Sequence, residues 1–310
     1  MVEPHRSAFS RALDALHLVA LSFFVAAALA GVARGAEGAG TAAIFYLAIL
    51  VATAALAARV HGDGGTPALR NLHLGWTIVM LPAAFTGLRW IAPAAAPPER
   101  RFDDALYAID RDWFGVDIAK WSEGFLTAPI ADLAMVFYAL YFLMPIVALA
   151  ALGRRGDRAA TYRAAFPVAF GVYACYMLYM LVPAAGPRHA YVGRSEPLPR
   201  GLLTGWLHDF IRDLEPQAFD AFPSAHVVLG LLCAVVLWPM GGWIRWSMAI
   251  VGVGTAISTV VLRYHYLVDD LASLLVIAAA LAARALLDSR IARKAAADPH
   301  GDRMGELLGG

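Results

Sequence analysis

Charged residues are scarce in this sequence. Only 16% of its 310 residues are Asp, Glu, Lys or Arg, whereas 60% are hydrophobic. Soluble globular domains carry about 25% charged residues, so the composition excludes that class and indicates an integral membrane protein. The net charge is +1, and no basic tract is interleaved with aromatic residues. Nucleic-acid binding is therefore excluded as a function.

Cysteine is nearly absent, and the common nucleotide and metal signatures are missing. The two cysteines, Cys175 and Cys233, each lie inside an apolar run, which favours packing roles and excludes a disulfide framework. The sequence has no P-loop, dinucleotide fingerprint, C-x-x-C or H-E-x-x-H pattern, and no internal repeat. We therefore expect no cofactor.

Eight apolar segments are each long enough, at about 20 residues, to cross a bilayer as a helix. They lie near residues 12–33, 41–60, 74–95, 130–152, 160–183, 224–240, 243–262 and 267–287. Pro82 and Arg89 interrupt the third segment, so six or seven spans are the alternatives. The first segment exceeds the roughly 7 to 15 residues of a signal-peptide core, and we interpret it as a retained anchor. The sequence thus predicts an all-α, polytopic transmembrane bundle.

Basic residues mark one side of this bundle. The short loop after the fourth segment and the C-terminal tail hold clusters of them, at Arg154, Arg155, Arg158, Arg163, Arg284, Arg290, Arg293, Lys294 and Arg303. By the positive-inside rule both regions are cytoplasmic, and an even number of spans places both termini there. The long connections near 96–129 and 184–223 then face outward. Apolar residues recur at helical spacing in 201–214, which predicts an amphipathic helix at the interface that packs onto the bundle or covers a site.

The stretch F-P-S-A-H, residues 222–226, stands at the start of the sixth segment. Proline disfavours helical geometry in the residue before it, and serine is a preferred N-cap. The pattern predicts a helix that begins after Ser224 and carries His226 in its first turn, where unpaired backbone N–H groups attract phosphate. A structural cap beside an interfacial histidine is the alternative.

Two further polar groups stand at helix ends. In R-Y-H-Y-L-V-D-D, residues 263–270, His265 and Asp269 are spaced i, i+4 and share a face if the helix begins near the histidine. The carboxylate then holds one ring nitrogen and leaves the other as a nucleophile. In G-P-R, residues 186–188, the guanidinium of Arg188 suits phosphate oxygens. Snorkelling side chains and interfacial anchors are the alternatives for both groups.

These three groups lie at the ends of successive spans. The fifth helix is expected to end near Pro183, the sixth to begin near Ser224, the seventh to end near Leu262 and the eighth to begin beside His265. Because each span crosses the membrane once, all three groups fall on the same membrane face, whichever way the protein is oriented. We therefore expect them to form one site.

At these positions the sequence resembles the type 2 phosphatidic acid phosphatase superfamily, over roughly residues 105–285. The family motifs P-S-x-H and S-R-x5-H-x3-D match Pro223, Ser224, His226, Ser258, His265 and Asp269. The stretch A-I-D-R-D-W-F-G-V-D, residues 108–117, is similar to one branch of the family, the inositol phosphorylceramide synthases. That branch consists of inositolphosphotransferases.

The sequence departs from the superfamily motifs at three positions. Thr259 stands where the third motif has arginine, and Arg263, one helical turn further along, is expected to supply the charge. In the first motif, K-x6-R-P, Arg188 matches the arginine, whereas Leu181 and His189 replace the lysine and the proline. These departures are similar to the inositolphosphotransferase branch.

The resemblance implies a two-step phosphoryl transfer from a lipid phosphate or phospholipid. His265, oriented by Asp269, attacks phosphorus to form a phosphohistidine, and His226 protonates the leaving alkoxide and then activates the acceptor. Three side chains are implied to bind the phosphate oxygens, namely Arg188, Arg263 and Ser224. The acceptor is water in a phosphatase, and inositol or another alcohol in a phosphotransferase. The resemblance implies no metal. A metal site formed by His226, His265, Asp269 and Asp270 is the alternative.

We expect three regions along the chain: N-terminal transmembrane helices at 1–100, a catalytic transmembrane core at 101–290 and a cytoplasmic tail at 291–310. The active site is expected on the extracytoplasmic side. A non-catalytic transporter or scaffold is the other class of function considered. A transporter predicts ionisable residues near mid-bilayer on broken helices rather than at helix ends.

Overall fold

The fold, described by a computed structural model, is all-α. The structure describes residues 2–62, 65–95, 98–191, 197–214 and 219–297. Their helices are α1 Val2–Ala33, α2 Ala39–His61, α3 Pro67–Ala95, α4 Asp103–Phe114, α5 Ile118–Trp121, α6 Ala128–Leu140, α7 Met144–Gly153, α8 Arg158–Leu181, α9 Pro187–Ala190, α10 Thr204–Leu214, α11 Ala225–Leu237, α12 Gly242–Val261 and α13 Leu267–Ala297. Within these ranges no strand forms, and one isolated bridge joins Ala184 to Asp220. The predicted helical bundle is confirmed.

In the part of the chain that the structure describes, seven helical spans are long and apolar enough to cross a membrane. They are Ala8–Ala33, Ala39–His61, Pro67–Ile91, Ala128–Gly153, Arg158–Leu181, Gly242–Val261 and Leu267–Ala297. The remaining predicted span, near 224–240, is a shorter apolar helix, α11, which a 3₁₀ turn extends to Met240. The protein is therefore an integral, multi-pass membrane protein, with seven full-length spans where eight were expected.

Two proline-containing segments behave differently from each other. The third span is one continuous helix, α3, although Pro82 lies inside it. Membrane helices tolerate such a proline because neighbouring groups satisfy the backbone. The fourth span is instead divided into α6 and α7 by a 3₁₀ turn at Tyr141–Leu143, and Pro145 follows in the first turn of α7, where its missing N–H has no helical partner to lose.

The arginine-rich loop between α7 and α8 defines the basic end of the bundle. Arg163 near the start of α8 pairs with Asp288 near the end of α13, with 2.7 Å between Nη2 and Oδ2. The ring of Phe9 on α1 packs on that of Phe166 at 5.9 Å. The beginning of α1 and the end of α13 are thus both at the basic end. Arg303 of the predicted tail lies outside the described residues.

Buried polar side chains connect the N-terminal helices to α8, and the sequence did not indicate them. Asp14 lies 2.7 Å from Nε2 of His61 and 2.6 Å from Nε2 of His73. The Nδ1 atom of His73 lies 2.7 Å from the hydroxyl of Tyr162. These bonds join α1, α2, α3 and α8 near the basic end and fix the positions of these four helices relative to one another.

Candidate active site

The helix α11 begins as the F-P-S-A-H stretch predicts. Ser224 is its N-cap, and the hydroxyl accepts a hydrogen bond from the N–H of Val227 at 3.4 Å. The cap is itself held, because the hydroxyl of Ser273 donates to the Ser224 carbonyl at 3.0 Å. His226 is consequently the second helical residue, at the end of the bundle opposite the basic loop.

Two imidazoles that are 39 residues apart in the chain meet at this end. Nε2 of His265 lies 3.4 Å from Nδ1 of His226, and the ring planes cross at 62°. Both side chains are buried, with 3% and 8% of their surface exposed. The structure thus brings together the two histidines that the sequence motifs single out, and their nitrogen atoms face each other.

His265 is oriented chiefly by a backbone carbonyl. Its Nδ1 donates to the carbonyl of Ala221 at 2.7 Å, whereas Oδ2 of Asp269 is 3.5 Å away. Asp269 instead accepts from the N–H of Tyr266 at 2.7 Å and holds the start of α13. The expected direct bond between the carboxylate and the imidazole is therefore replaced, because α13 begins at Leu267, two residues after the histidine.

The same surroundings keep His265 uncharged. Its pKa is lowered to about 3, chiefly by burial and also by the neighbouring His226, while the hydrogen bond to Ala221 opposes the shift. With Nδ1 donating, the lone pair lies on Nε2. His265 therefore presents an unprotonated nitrogen to His226.

Arg263 reaches this end of the bundle by a route that the sequence did not predict. The helix α12 ends at Val261, and Arg263 adopts a left-handed backbone with φ 61°. It is therefore not one helical turn beyond Thr259, which corrects the expectation. Its Nε donates to the hydroxyl of Ser122 at 2.9 Å, and its Nη1 lies 3.9 Å from Glu123. Burial lowers the pKa of Arg263, while Glu123 raises it.

Arg188 lies beside Arg263 on the short helix α9. Its backbone N–H donates to the carbonyl of Arg263 at 2.8 Å, and its guanidinium lies 4.9 Å from the ring centre of Tyr264. Nη2 pairs with Nε2 of His208 on α10. Nη1 is buried and has no hydrogen-bond partner within the described residues. The loop can approach this closely because a Cβ at Gly186 would stand 2.0 Å from the Tyr264 carbonyl.

Stacked aromatic rings connect the histidine pair to Arg188. The ring of Tyr138 lies 4.4 Å from that of His226 and 4.4 Å from that of Tyr264. A second tyrosine, Tyr141, lies 4.1 Å from His226. Because Arg188 covers the far ring of this stack and its N–H donates to the Arg263 carbonyl, the structure places both histidines and both arginines at the same end of the bundle.

Comparison of the sequence with known proteins identifies its family. A family model described as the PAP2 superfamily matches residues 104–283, more than half of the chain. This chain belongs to the PAP2 superfamily. A PA-phosphatase related-family protein of Dictyostelium discoideum is 33% identical over 107 residues, which cover 32% of this chain and 19% of that protein. The match therefore covers about a fifth of the length of this relative. No solved structure matches this chain.

The PAP2 motifs contain the histidines, but two aspartates of α4 hold the loops that carry them. Asp110 caps α13 by accepting from the N–H groups of Leu267 and Val268 at 2.8 and 2.9 Å. Asp103 accepts from the hydroxyl of Tyr266, and from two N–H groups in the loop before α9, at 3.0 Å each. In the sequence, the stretch around Asp110 stands out by its resemblance to one PAP2 branch. The physical signal for its role is a pair of acidic residues before the fourth span.

The predicted amphipathic helix of the outer loop is present as α10 and lies against the PAP2 motifs. The carboxylate of Asp132 accepts from three N–H groups at its start, those of Leu202, Leu203 and Thr204. His208 contacts Arg188, so the helix both packs onto the bundle and adjoins the site. In the described ranges no group of three or more His, Cys, Asp or Glu side chains has the geometry of a metal site.

Proposed function

We propose that this PAP2 protein is a membrane lipid-phosphate phosphatase or phosphotransferase that works through a phosphohistidine at His265. The observation that supports the proposal most is the 3.4 Å approach of His265 Nε2 to His226 Nδ1. Two facing imidazole nitrogens suit a reaction in which one attacks phosphorus and the other moves a proton.

His265 is proposed as the nucleophile. Its Nδ1 proton is directed at the Ala221 carbonyl, and the lowered pKa keeps Nε2 unprotonated at neutral pH. In the first step the Nε2–P bond forms as the P–O bond to the lipid breaks, and the bonding pair leaves with the lipid oxygen. Asp269, 3.5 Å from Nδ1, stabilises the positive charge that the ring acquires.

His226 is proposed as the general acid and then the general base. In its protonated form it gives a proton to the departing lipid alkoxide. It then takes a proton from the acceptor hydroxyl, which attacks phosphorus as the N–P bond breaks and returns His265 to its neutral state. With a lipid phosphate monoester, water as the acceptor gives free phosphate, and inositol or another alcohol gives a new phosphomonoester. With a phospholipid, whose headgroup stays on phosphorus, an alcohol acceptor gives a new phosphodiester.

Two guanidinium groups and a helix end are proposed to hold the phosphate oxygens. Arg188 contributes the N–H groups of its buried Nη1. Arg263 is fixed by Ser122 and brings a second positive charge beside Arg188. The first backbone N–H groups of α11, beyond the Ser224 cap, supply further donors. Such fixed donors stabilise the charge on a transferring phosphoryl group throughout the reaction.

We propose that the site faces the extracytoplasmic side. Arg154, Arg155, Arg158 and Arg163 lie at the basic end, which the positive-inside rule assigns to the cytoplasm, and the histidine pair lies at the other end. Both termini are then cytoplasmic. The candidate side chains are at helix ends, as the enzyme hypothesis expects and the transporter hypothesis does not.

The test is a panel of lipid phosphates and phospholipids, offered to the purified protein in detergent with and without free inositol. Released free phosphate identifies a phosphatase. A new phosphate ester of inositol, a monoester from a lipid phosphate or a diester from a phospholipid, identifies a phosphotransferase. His265→Ala should abolish either activity and His226→Ala should reduce it strongly, while circular dichroism shows an intact fold. Vanadate, which mimics five-coordinate phosphorus, should inhibit. Full turnover by His265→Ala would refute the nucleophile assignment.

A further inference from the structure

An apolar groove leads away from His226 toward the basic end of the bundle. Its upper part is a cavity of about 310 Å³, lined by the polar side chains of His226, Asp220 and Tyr141 at one end and mostly by aliphatic and aromatic side chains elsewhere. A narrower cavity of about 40 Å³ continues below it. The two cavities share Ile78 among their lining residues, so together they form one groove.

The groove lies between α3 on one side and α7 on the other, with α8 and α11 behind. Along α3 it extends from Leu74 to Thr86, twelve residues apart, which corresponds to about 18 Å at 1.5 Å per residue. One leaflet contributes about 15 Å to the hydrocarbon core of a bilayer. The depth of the groove therefore matches the depth of one leaflet.

The side of the groove opposite α8 is open toward lipid. Pro82 on α3 and Ile146 on α7 line the upper cavity and are exposed on the outer surface of the bundle. A hydrocarbon chain can thus enter sideways from the leaflet, without crossing water. Phe85 also lines the upper part, and its ring packs at 5.5 Å on that of Tyr176.

We infer that this groove binds the hydrocarbon tail of the lipid phosphate whose headgroup is held at His226 and His265. The inference rests on the proposed function and specifies its substrate class, an amphiphile with a phosphate at one end and a leaflet-length tail at the other. The α3 wall lies outside residues 104–283, the part that the PAP2 model matches. Selection among tails is therefore assigned to a wall outside the matched range, and α3 residues become specificity determinants.

Ile78 and Leu149 give a graded test. Ile78 lines both cavities, so Ile78→Trp should block the groove at its middle; Leu149 on α7 lines only the lower one, so Leu149→Trp should shorten it less. The matched control for Ile78→Trp is Val79→Trp on α3, and that for Leu149→Trp is Val147→Trp on α7. Both add the same bulk at side chains that are 54% and 38% exposed and line neither cavity.

The substrates are dipalmitoyl and dihexanoyl phosphatidic acid in the same detergent micelles. Each methylene excluded from the groove costs about fourfold in affinity. Ile78→Trp should therefore lower kcat/KM for the long-tailed lipid by a factor on the order of 50 or more when three methylenes are excluded. It should leave the short-tailed lipid unchanged, Leu149→Trp should have a smaller effect in the same direction, and neither control should discriminate.

The groove assignment and the proposed function fail in different ways. If Ile78→Trp lowers turnover of both lipids equally, or of neither, the groove does not bind the tail. If the wild-type chain turns over no lipid phosphate, the proposed function fails, and a phosphatidic acid with a diazirine at the end of its tail then tests the groove alone. Photolabelling of the peptide that contains residues 78–86 supports the assignment, and its absence overturns it.

Discussion

Removing the Asp110 carboxylate tests how the candidate site is held together. Asp110 is fully buried on α4 and accepts from the N–H groups of Leu267 and Val268, the first two residues of α13. These residues follow His265 closely, so the carboxylate fixes the path by which the chain leaves the proposed nucleophile. We expect Asp110→Ala to lower both stability and turnover.

The magnitude follows from the two hydrogen bonds. A buried N–H that loses its acceptor costs about 1–3 kcal/mol. Asp110→Ala leaves two of them, so the free energy of unfolding should fall by about 2–6 kcal/mol. Asp110→Asn retains one acceptor oxygen and should lose roughly half as much. A displacement of His265 by about 1 Å would reduce turnover on the order of a hundredfold.

Thermal unfolding in detergent, followed by tryptophan fluorescence, measures the stability term, since the chain has 8 tryptophans. Turnover of a lipid phosphate measures the effect on activity. The control is Asp112→Ala on the same helix, because the side chain of Asp112 is 59% exposed and pairs with Arg111 at the surface. If Asp110→Ala and Asp112→Ala unfold at the same temperature and turn over at the same rate, the assigned role of the cap is wrong.

Three other perturbations probe the account at separate points. The pKa of His265 is about 3 in the folded chain against an ordinary value of 6.5, so between these pH values the unfolded chain binds a proton that the folded chain does not. The free energy of unfolding should therefore fall as the pH drops from 6.5 to 3, and His265→Asn should make this dependence on pH less steep in an acid titration. Arg188→Lys removes the forked donor and should lower kcat/KM by about 10²–10³ in steady-state assays at unchanged melting temperature; an unaltered kcat/KM would remove Arg188 from phosphate binding. Asp14→Ala removes the acceptor that His61 and His73 share and should lower the free energy of unfolding by about 3–5 kcal/mol in a melting experiment. Turnover should persist, because this cluster lies near the basic end; a loss of turnover without a loss of stability would contradict this.

The spans were predictable because length and hydrophobicity decide whether a helix crosses a membrane. The segment 224–240 is shorter than a full transmembrane helix, because the Ser224 cap and a 3₁₀ turn at Trp238–Met240 leave only Ala225–Leu237 as α-helix. The buried Asp14 cluster was not predictable, because its members are separated by dozens of residues and meet only when α1, α2, α3 and α8 pack.

The proposed chemical groups were visible in the sequence, and the groups that position them were not. His226 and His265 stand in motifs, and the alternation of spans placed them at one end. The Ala221 carbonyl that orients His265 leaves no trace in side-chain identity. The left-handed backbone of Arg263 is uncommon for a residue other than glycine, so a helical face was the natural but wrong expectation.

The chemical step itself is tested most directly by trapping the covalent intermediate. A lipid phosphate carrying radioactive phosphorus is mixed with the protein, quenched in base within one turnover, and the labelled peptide is sequenced. The account predicts an acid-labile label on the ring of His265, with none on His265→Ala. Label on another side chain, or full turnover with no labelled protein at any time, would contradict it.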